Sequence, residues 1–468
     1  VWDFNKHLHF VDLAARFRLT RDAAYDREVT AQFLDWVEKN PYPHGMGWFA
    51  PLIVSQRAIS WIIAFNLGCL SSVERDLAKA LHVHGQDLSR RLEISGDGWS
   101  SNHLIGNLAA LYLIGASLHV DRWRRRALRL LEVELGKQFR GEVHYEQSSN
   151  YHRYVLEFLT LVWLVHSDHP KPRWLTETLV RMTHFLKAIS LPDGSLPLLS
   201  DQDGARVWVR NIYSPSELYR LYGGSQYRSL GSQGFVEAGY YVMRHRNSVL
   251  LFDCGPIGMK GQRLTTHGHS DLLSFVLAVR GKPFVVDIGS YTYTEDKALH
   301  DYFRGTAGHN TVTVDGQDQC GLGGTWTLKK HPRCWVKDWR TSATEDAVCG
   351  AHDGYWPLVH ERRIVFKKHA NPTIQVTDTI EGNESHKIVS RLHLHPDVRV
   401  EDLDSHSAKL LNGDVSLNLA ANGQRPFLTM KTGLYSPDYG QIQETRVLDM
   451  TVTGRCPITL STSFSPGS

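Results

Sequence analysis

Apolar residues recur every three to four positions through Arg21–Asn40, Ser55–Leu67, Ser71–Leu81, Asn102–Leu118, Asp121–Gln138, Ser148–Ser167 and Trp174–Ile189, the spacing of helices with a buried face. From about Gly234 the period changes. The segments Tyr240–Cys254, Leu272–Asp287, Asn310–Asp315, Thr373–Gly382, Ile388–His395 and Leu448–Ser463 are short, rich in Val, Ile and Thr, and bounded by Gly, Asn, Asp or Pro, which predicts strands. A helical block followed by a strand block implies two packed domains rather than an alternating βαβ fold. Glycines cluster through Gly223–Gly234, which puts the expected division at 1–228 and 229–468.

The helical block carries a further regularity. Asn102–Leu118 and Ser148–Ser167 are apolar nearly all round, whereas Asp121–Gln138 between them has a broad charged face. A helix greasy on every side is buried on every side, and an amphipathic one lies outside. Alternation of the two predicts a double-layered helical toroid whose inner helices deliver their N-terminal ends to one rim. The residues there are Trp99-Ser100-Ser101-Asn102-His103 and Glu146-Gln147-Ser148-Ser149-Asn150-Tyr151-His152. Capping accounts for Ser101 and Ser148. It does not account for Asn102-His103 or Tyr151-His152 inside the first turn, which makes them candidates for chemistry.

Charge narrows the partners. Lys and Arg total 52 against 49 Asp and Glu in 468 residues, so a net +3 makes no case for nucleic acid or an anionic membrane. No apolar run is long enough to cross a bilayer. The sequence opens at Val1 with no Met and no basic-then-apolar leader, consistent with a removed signal or a piece of a longer chain. Six cysteines with no CxxC pair exclude a zinc finger and fit isolated thiols or one or two bridges. Thirteen Trp and 18 Tyr fit core packing or sugar-stacking platforms.

In the strand block, Thr266-His267-Gly268-His269-Ser270-Asp271 precedes an apolar run. Were this stretch extended, His267 and His269 would point the same way. Asp287 and His309 fall at the ends of neighbouring apolar strands, and two imidazoles with one carboxylate make a sensible ligand set for zinc or a similar divalent ion. In the early helices, His44-Gly45-Met46-Gly47-Trp48 and Ser55-Gln56-Arg57 are placed to line a sugar cleft. Asp193, Asp201 and Asp203 stand among strong turn signals and read as turn formers.

The runs His267-Gly268-His269-Ser270-Asp271-Leu272-Leu273-Ser274-Phe275, Asp287-Ile288-Gly289-Ser290-Tyr291 and Arg304-Gly305-Thr306-Ala307-Gly308-His309-Asn310-Thr311-Val312 resemble the C-terminal domain of the heparinase II/III-like polysaccharide lyases. Ser101-Asn102-His103 and Glu146–His152 resemble that family's asparagine-histidine and tyrosine-histidine motifs, with Ser149-Asn150 standing where relatives often carry an apolar pair. The resemblance implies an incomplete (α/α) toroid, lacking one or more leading helices, followed by an antiparallel β-sandwich. It also implies β-elimination on an acidic, uronate-containing polysaccharide, in the periplasm or outside a bacterial cell.

The same resemblance sets the residue roles. Tyr151 is the acid/base and His267 the base or carboxylate partner, while Asn102 and His103 neutralise charge. Arg57 and Trp48, from their place beside an early helix rather than from the resemblance, join His152 and Arg304 as the expected substrate contacts. His269, Asp287 and His309 hold a structural metal, zinc by preference over manganese or calcium. Elimination needs these types, because charge from the C5 proton spreads onto the uronate carboxylate and calls for neutral or cationic donors. An unperturbed Tyr titrates near pH ~10, so base work near neutrality needs a neighbouring cation or donor. Glycosaminoglycans such as heparan sulfate, chondroitin sulfate or hyaluronan are the expected polymers, with alginate or a bacterial exopolysaccharide as alternatives. A toroid glycoside hydrolase using Glu146 with Asp201 or Asp203, and a non-catalytic carbohydrate-binding protein, are readings of other classes. An HxH amidohydrolase would need the strand and helix alternation of a (β/α)₈ barrel, which the chain lacks.

Overall fold

Helices α1 (Leu8–Thr20), α2 (Ala23–Lys39), α3 (Pro51–Asn66), α4 (Glu74–Arg90), α5 (Asn102–Ser117), α6 (Asp121–Gln138), α7 (Ser149–Val165), α8 (Arg173–Ile189) and the short α9 (Pro215–Leu221) form where the helical period predicts most of them. This computed structural model describes residues 3–94, 100–166, 170–208, 213–224, 230–258, 267–424 and 426–467. Trp99, Thr266 and the expected division after residue 228 lie outside them. Helix α1 escaped the periodicity because its stripe is narrow: Phe10, Val11 and Ala14 are its buried positions.

The inner and outer layers follow from composition. Most residues of α3 and α5 are buried, including the polar Ser55, Gln56, Asn102 and Asn107. In α4 and α6 the buried residues are confined to one face. Glycines set the spacing. A β-carbon at Gly106 of α5 would fall 2.8 Å from Leu52 of α3 and 3.0 Å from Phe158 of α7, and one at Gly85 of α4 would collide with the Trp123 ring of α6. The layers are those of an incomplete (α/α) toroid.

The strands are β1 (Phe139–Arg140), β2 (Val143–His144), β3 (Gln233–Phe235), β4 (Tyr240–His245), β5 (Ser248–Asp253), β6 (Phe275–Val279), β7 (Lys282–Val285), β8 (Val312–Val314), β9 (Cys334–Thr341), β10 (Glu345–Tyr355), β11 (Leu358–Lys367), β12 (Thr373–Glu381), β13 (Ser385–His393), β14 (Arg399–Glu401), β15 (Ser407–Asn412), β16 (Val415–Gly423), β17 (Phe427–Tyr435), β18 (Gln443–Arg455) and β19 (Ile458–Pro466). A helix α10 (Lys297–Arg304) interrupts them. Among the described residues β3 to β7 form a sheet in sequence order, β17-β18-β13-β8 a second, and β14-β15-β16-β19-β12-β11-β10-β9 a third. Their registered pairs are antiparallel, and side chains from all three sheets meet in one apolar core around Phe275, Phe366, Leu392 and Leu448.

Two expected strands are hairpins, and a third is split between two sheets. Leu272–Asp287 turns at Arg280-Gly281, both at positive φ (52° and 89°), which is the backbone of a tight hairpin turn. Tyr240–Cys254 turns at Arg246-Asn247, and Leu448–Ser463 is divided between β18 and β19. His267 and His269 stand in a turn ahead of β6, not on a strand.

The chain divides into two compact units. The first comprises Val1–Phe139, Arg153–Thr183 and Ala205–Gly224, and the second Arg140–His152, His184–Gly204 and Ser225–Ser468. The opening turn of α7 and the segment holding Asp201 and Asp203 therefore belong with the sheets. Inside the second unit, Arg362 of β11 donates to both oxygens of Asp378 on β12 at 2.6 and 2.9 Å, and to the backbone oxygens of Leu273 and Asn310. One buried guanidinium thus fixes the loops that carry His269 and His309.

Gly85 tests the layer spacing. Gly85→Ala drives a β-carbon into the buried Trp123 ring and is expected to lower stability by about 1–3 kcal/mol, read as a shift in the urea midpoint of the full chain.

Candidate active site

Residues 197–203 are stitched to the start of α7. Ser148 Oγ donates to Asp201 O at 2.7 Å and accepts from Tyr151 N at 3.2 Å, and Ser149 Oγ donates to Pro197 O at 2.6 Å. Asp201 N donates to His267 O at 3.1 Å, and Gln202 N to Ser290 Oγ at 2.7 Å. Three remote stretches of chain are held together before any side chain of the site is considered.

The Asp201 carboxylate joins two histidines. It accepts from His267 Nδ1 at 3.0 Å through one oxygen and from His269 Nε2 at 2.9 Å through the other. An ionised carboxylate only accepts, so both imidazoles present N–H to it, leaving His267 Nε2 and His269 Nδ1 for other partners. Burial alone would raise the Asp201 pKa, yet the two donors hold its carboxyl well below the usual range. Burial likewise works against a charged His267, but the bond to Asp201 and the nearby Glu146 and Asp203 carry its pKa above the ordinary imidazole value.

The Tyr151 ring stacks on His267, with centroids 3.6 Å apart and planes at 15°. Its hydroxyl donates to Asp203 Oδ2 at 2.7 Å and lies 3.2 Å from the Tyr293 hydroxyl. Asn150 Nδ2 donates to the other Asp203 oxygen at 3.0 Å. Burial, then the Asp203 charge, pushes the Tyr151 phenol well above its ordinary pKa, so it rests protonated. Half-buried Trp326 packs against Tyr293 (4.5 Å) and His267 (5.7 Å), and Tyr439 against Tyr293 (5.3 Å), forming an aromatic wall beside the pair. Asp201 and Asp203 read from the sequence as turn formers or as the carboxylates of a hydrolase, not as partners of His267, His269 and Tyr151, and Tyr293, Trp326 and Tyr439 escaped it, since no local spacing marks them.

A second cluster adjoins. The rings of His269 and His309 lie 5.2 Å apart. Asp287 accepts from His309 Nδ1 at 2.8 Å and from Gly289 N at 3.1 Å, so both its oxygens are engaged. His269 Nδ1 and His309 Nε2 are buried with no hydrogen-bond partner among the described residues. Nitrogens so placed suit a shared divalent ion, with Asp287 orienting His309 from behind. Among the described residues, no three His, Cys, Asp or Glu side chains are already spaced as a ligand group.

The remaining expected residues are found as follows. Asn102 is buried at the first position of α5 in the first unit, and His103 Nδ1 meets Glu93 Oε1 at 3.0 Å. The expected substrate contacts have internal partners. Arg57 is buried 4.0 Å from the Trp36 ring centroid, donates to His84 Nε2 and Asn5 O at 3.1 Å each, and is pushed down to about 9 by burial. Trp48 is also buried, its Nε1 donating to Asn40 O. Arg304 donates to Gly324 O and Thr327 O, bracing the loop that carries Trp326. His152 Nδ1 accepts from His144 N. Of the hydrolase carboxylates, Asp201 has both oxygens engaged and its proton affinity lowered, the opposite of a general acid.

Residues 1–223 match the heparinase II/III N-terminus and residues 228–463 the heparinase II/III-like C-terminal domain. The chain belongs to the heparinase II/III-like family. A heparin-sulfate lyase of Pedobacter heparinus is 23% identical over 403 residues, covering 78% of this chain and 58% of its own length. One of Bacteroides stercoris is 22% identical over 436 residues, covering 83% and 63%. This chain therefore spans less than two thirds of either relative. The crystal structure of a heparinase III shares the fold with a TM-score of 0.79 at 19% identity, covering 99% of this chain and 77% of that one.

Asp201→Ala should leave two buried imidazole donors without their acceptor. Chemical denaturation is expected to show a loss of about 1–3 kcal/mol, and stability within error of the parent would contradict the bridging role.

Proposed function

We propose that the protein is a polysaccharide lyase that cleaves a uronate-containing glycosaminoglycan of the heparin and heparan sulfate type by β-elimination, leaving an unsaturated uronate. The observation that carries this reading is the stack of Tyr151 on His267, a protonated phenol beside an imidazole whose Nε2 is left by Asp201 to face other partners. The names of the heparin-sulfate lyases among its relatives support the substrate class.

The chemistry follows from the two rings. His267 Nε2 accepts the C5 proton, and Asp201 on Nδ1 stabilises the imidazolium that results. Tyr151, kept protonated by burial, gives its proton to the C4 oxygen as the bond to the leaving sugar breaks. Asp203 and Tyr293 hold the phenol oxygen in place until substrate enters. Asn102 and His103 are assigned neutralisation of the uronate carboxylate on the family resemblance alone. The aromatic wall of Tyr293, Trp326 and Tyr439 offers apolar faces for sugar rings.

A divalent cation, zinc by the imidazole chemistry of its ligands, is part of the proposal. His269 and His309 would hold it with Asp287 behind, and its charge would stiffen the turn that presents His267. A periplasmic or secreted location goes with a polymeric substrate met outside the cytoplasm.

Tyr151→Phe keeps the ring and removes the proton donor. Turnover of heparan sulfate, followed by the ultraviolet absorbance of the unsaturated product, should fall by at least about 100-fold while substrate binding persists. Retained turnover would overturn the assignment. Elemental analysis of the purified full chain should find about one zinc per molecule, lost in the His269→Ala, His309→Ala double variant. Metal-free protein that has never met a chelator would contradict the site.

A further inference from the structure

Cys254 follows β5 and Cys334 opens β9, so the two cysteines belong to different sheets of the second unit. Their sulfurs lie 3.6 Å apart. Gly350 of β10 makes the approach possible, because a β-carbon there would collide with Cys254 Sγ. Cys254 is buried, whereas Cys334 is half-buried and lines a surface cavity of about 610 Å³ with Pro256, Ile257, His331 and Trp335. One sulfur is therefore open to a small molecule and the other is reached only through the first.

We infer that Cys254 and Cys334 are a modification site, a dithiol converted to an intramolecular disulfide by a low-molecular-weight disulfide such as oxidised glutathione. The contact with Cys254 and burial push the Cys334 thiol well above its ordinary pKa, so alkaline conditions favour the step: the thiol gives up its proton and the thiolate attacks one sulfur of the small disulfide, whose S–S bond breaks to release one thiolate. The deprotonated Cys254 sulfur then attacks Cys334 Sγ, forming the protein S–S bond and expelling the second small thiolate. Two protein thiols are oxidised, one small disulfide is reduced to two thiols, and the two protons lost by the cysteines balance the two released thiolates. Closing the pair requires the sulfurs to move together by about 1.5 Å, within reach of side-chain rotation at the partly exposed Cys334.

The cross-link brackets the site. His267, His269, Asp287, Tyr293, His309 and Trp326 all lie between residues 254 and 334, so the bond closes a loop around the strand-block residues of the proposed chemistry other than Tyr439. Closure restricts the unfolded chain and joins the β5 end of one sheet to the edge strand of another. The inference stands on sulfur geometry and access and does not depend on the lyase reading.

The test is thiol counting and peptide mapping of the full chain after exposure to oxidised glutathione at mildly alkaline pH. The expected result is four titratable thiols out of six under denaturing conditions and a Cys254–Cys334 linked peptide by non-reducing mass spectrometry. Reductant should lower the unfolding midpoint of the oxidised protein by on the order of 5 °C, and this response should vanish in Cys334→Ser. Six remaining thiols, or a linkage through the neighbouring Cys320 instead, would overturn the inference.

Discussion

One carboxylate organises the site. Asp201 is buried, ionised and bonded through separate oxygens to His267 and His269, and that arrangement fixes which nitrogen of each ring is left over. The two left-over nitrogens define two jobs. His267 Nε2 serves the chemistry proposed beside Tyr151, and His269 Nδ1 the cation site proposed with His309. A buried charge is costly unless it is paired, so the geometry of both clusters depends on the carboxylate keeping both partners.

That arrangement rests on a rigid base. The Arg362–Asp378 pair inside the sandwich holds the Leu273 and Asn310 carbonyls, and so the turns containing His269 and His309 are referred to the same two strands. Ser148 and Ser149 tie the start of α7 to residues 197–203, which brings Tyr151 to the same frame. The phenol and imidazole come from sequence positions more than a hundred residues apart, and each is positioned by bonds that do not involve the other.

The sequence made the layered helices legible because greasy and amphipathic segments alternate, and it made the change of period near Gly234 plain. Hairpins hid inside continuous apolar runs where the turn residues, Arg280 and Arg246, are not customary turn formers. Tyr151 and His267 stood out through motifs, but Asp201 did not. It lies 66 residues from His267 amid turn signals, and nothing local distinguishes a turn-forming aspartate from a bridging one. Arg57 and Trp48 read as cleft residues because a polar side chain near a helix start suggests a surface. Instead the helix is buried all round, and the guanidinium is packed among indole rings.

The central claim is that bond cleavage proceeds with His267 taking a proton from the sugar and Tyr151 giving one to the leaving oxygen, with no water consumed. Digestion of heparan sulfate in water enriched in oxygen-18, with mass analysis of the freshly released ends, measures this directly. The account predicts a new reducing end that carries no heavy oxygen and a new non-reducing end one water lighter than the saturated sugar. One heavy oxygen per cleavage would mean hydrolysis and would contradict it.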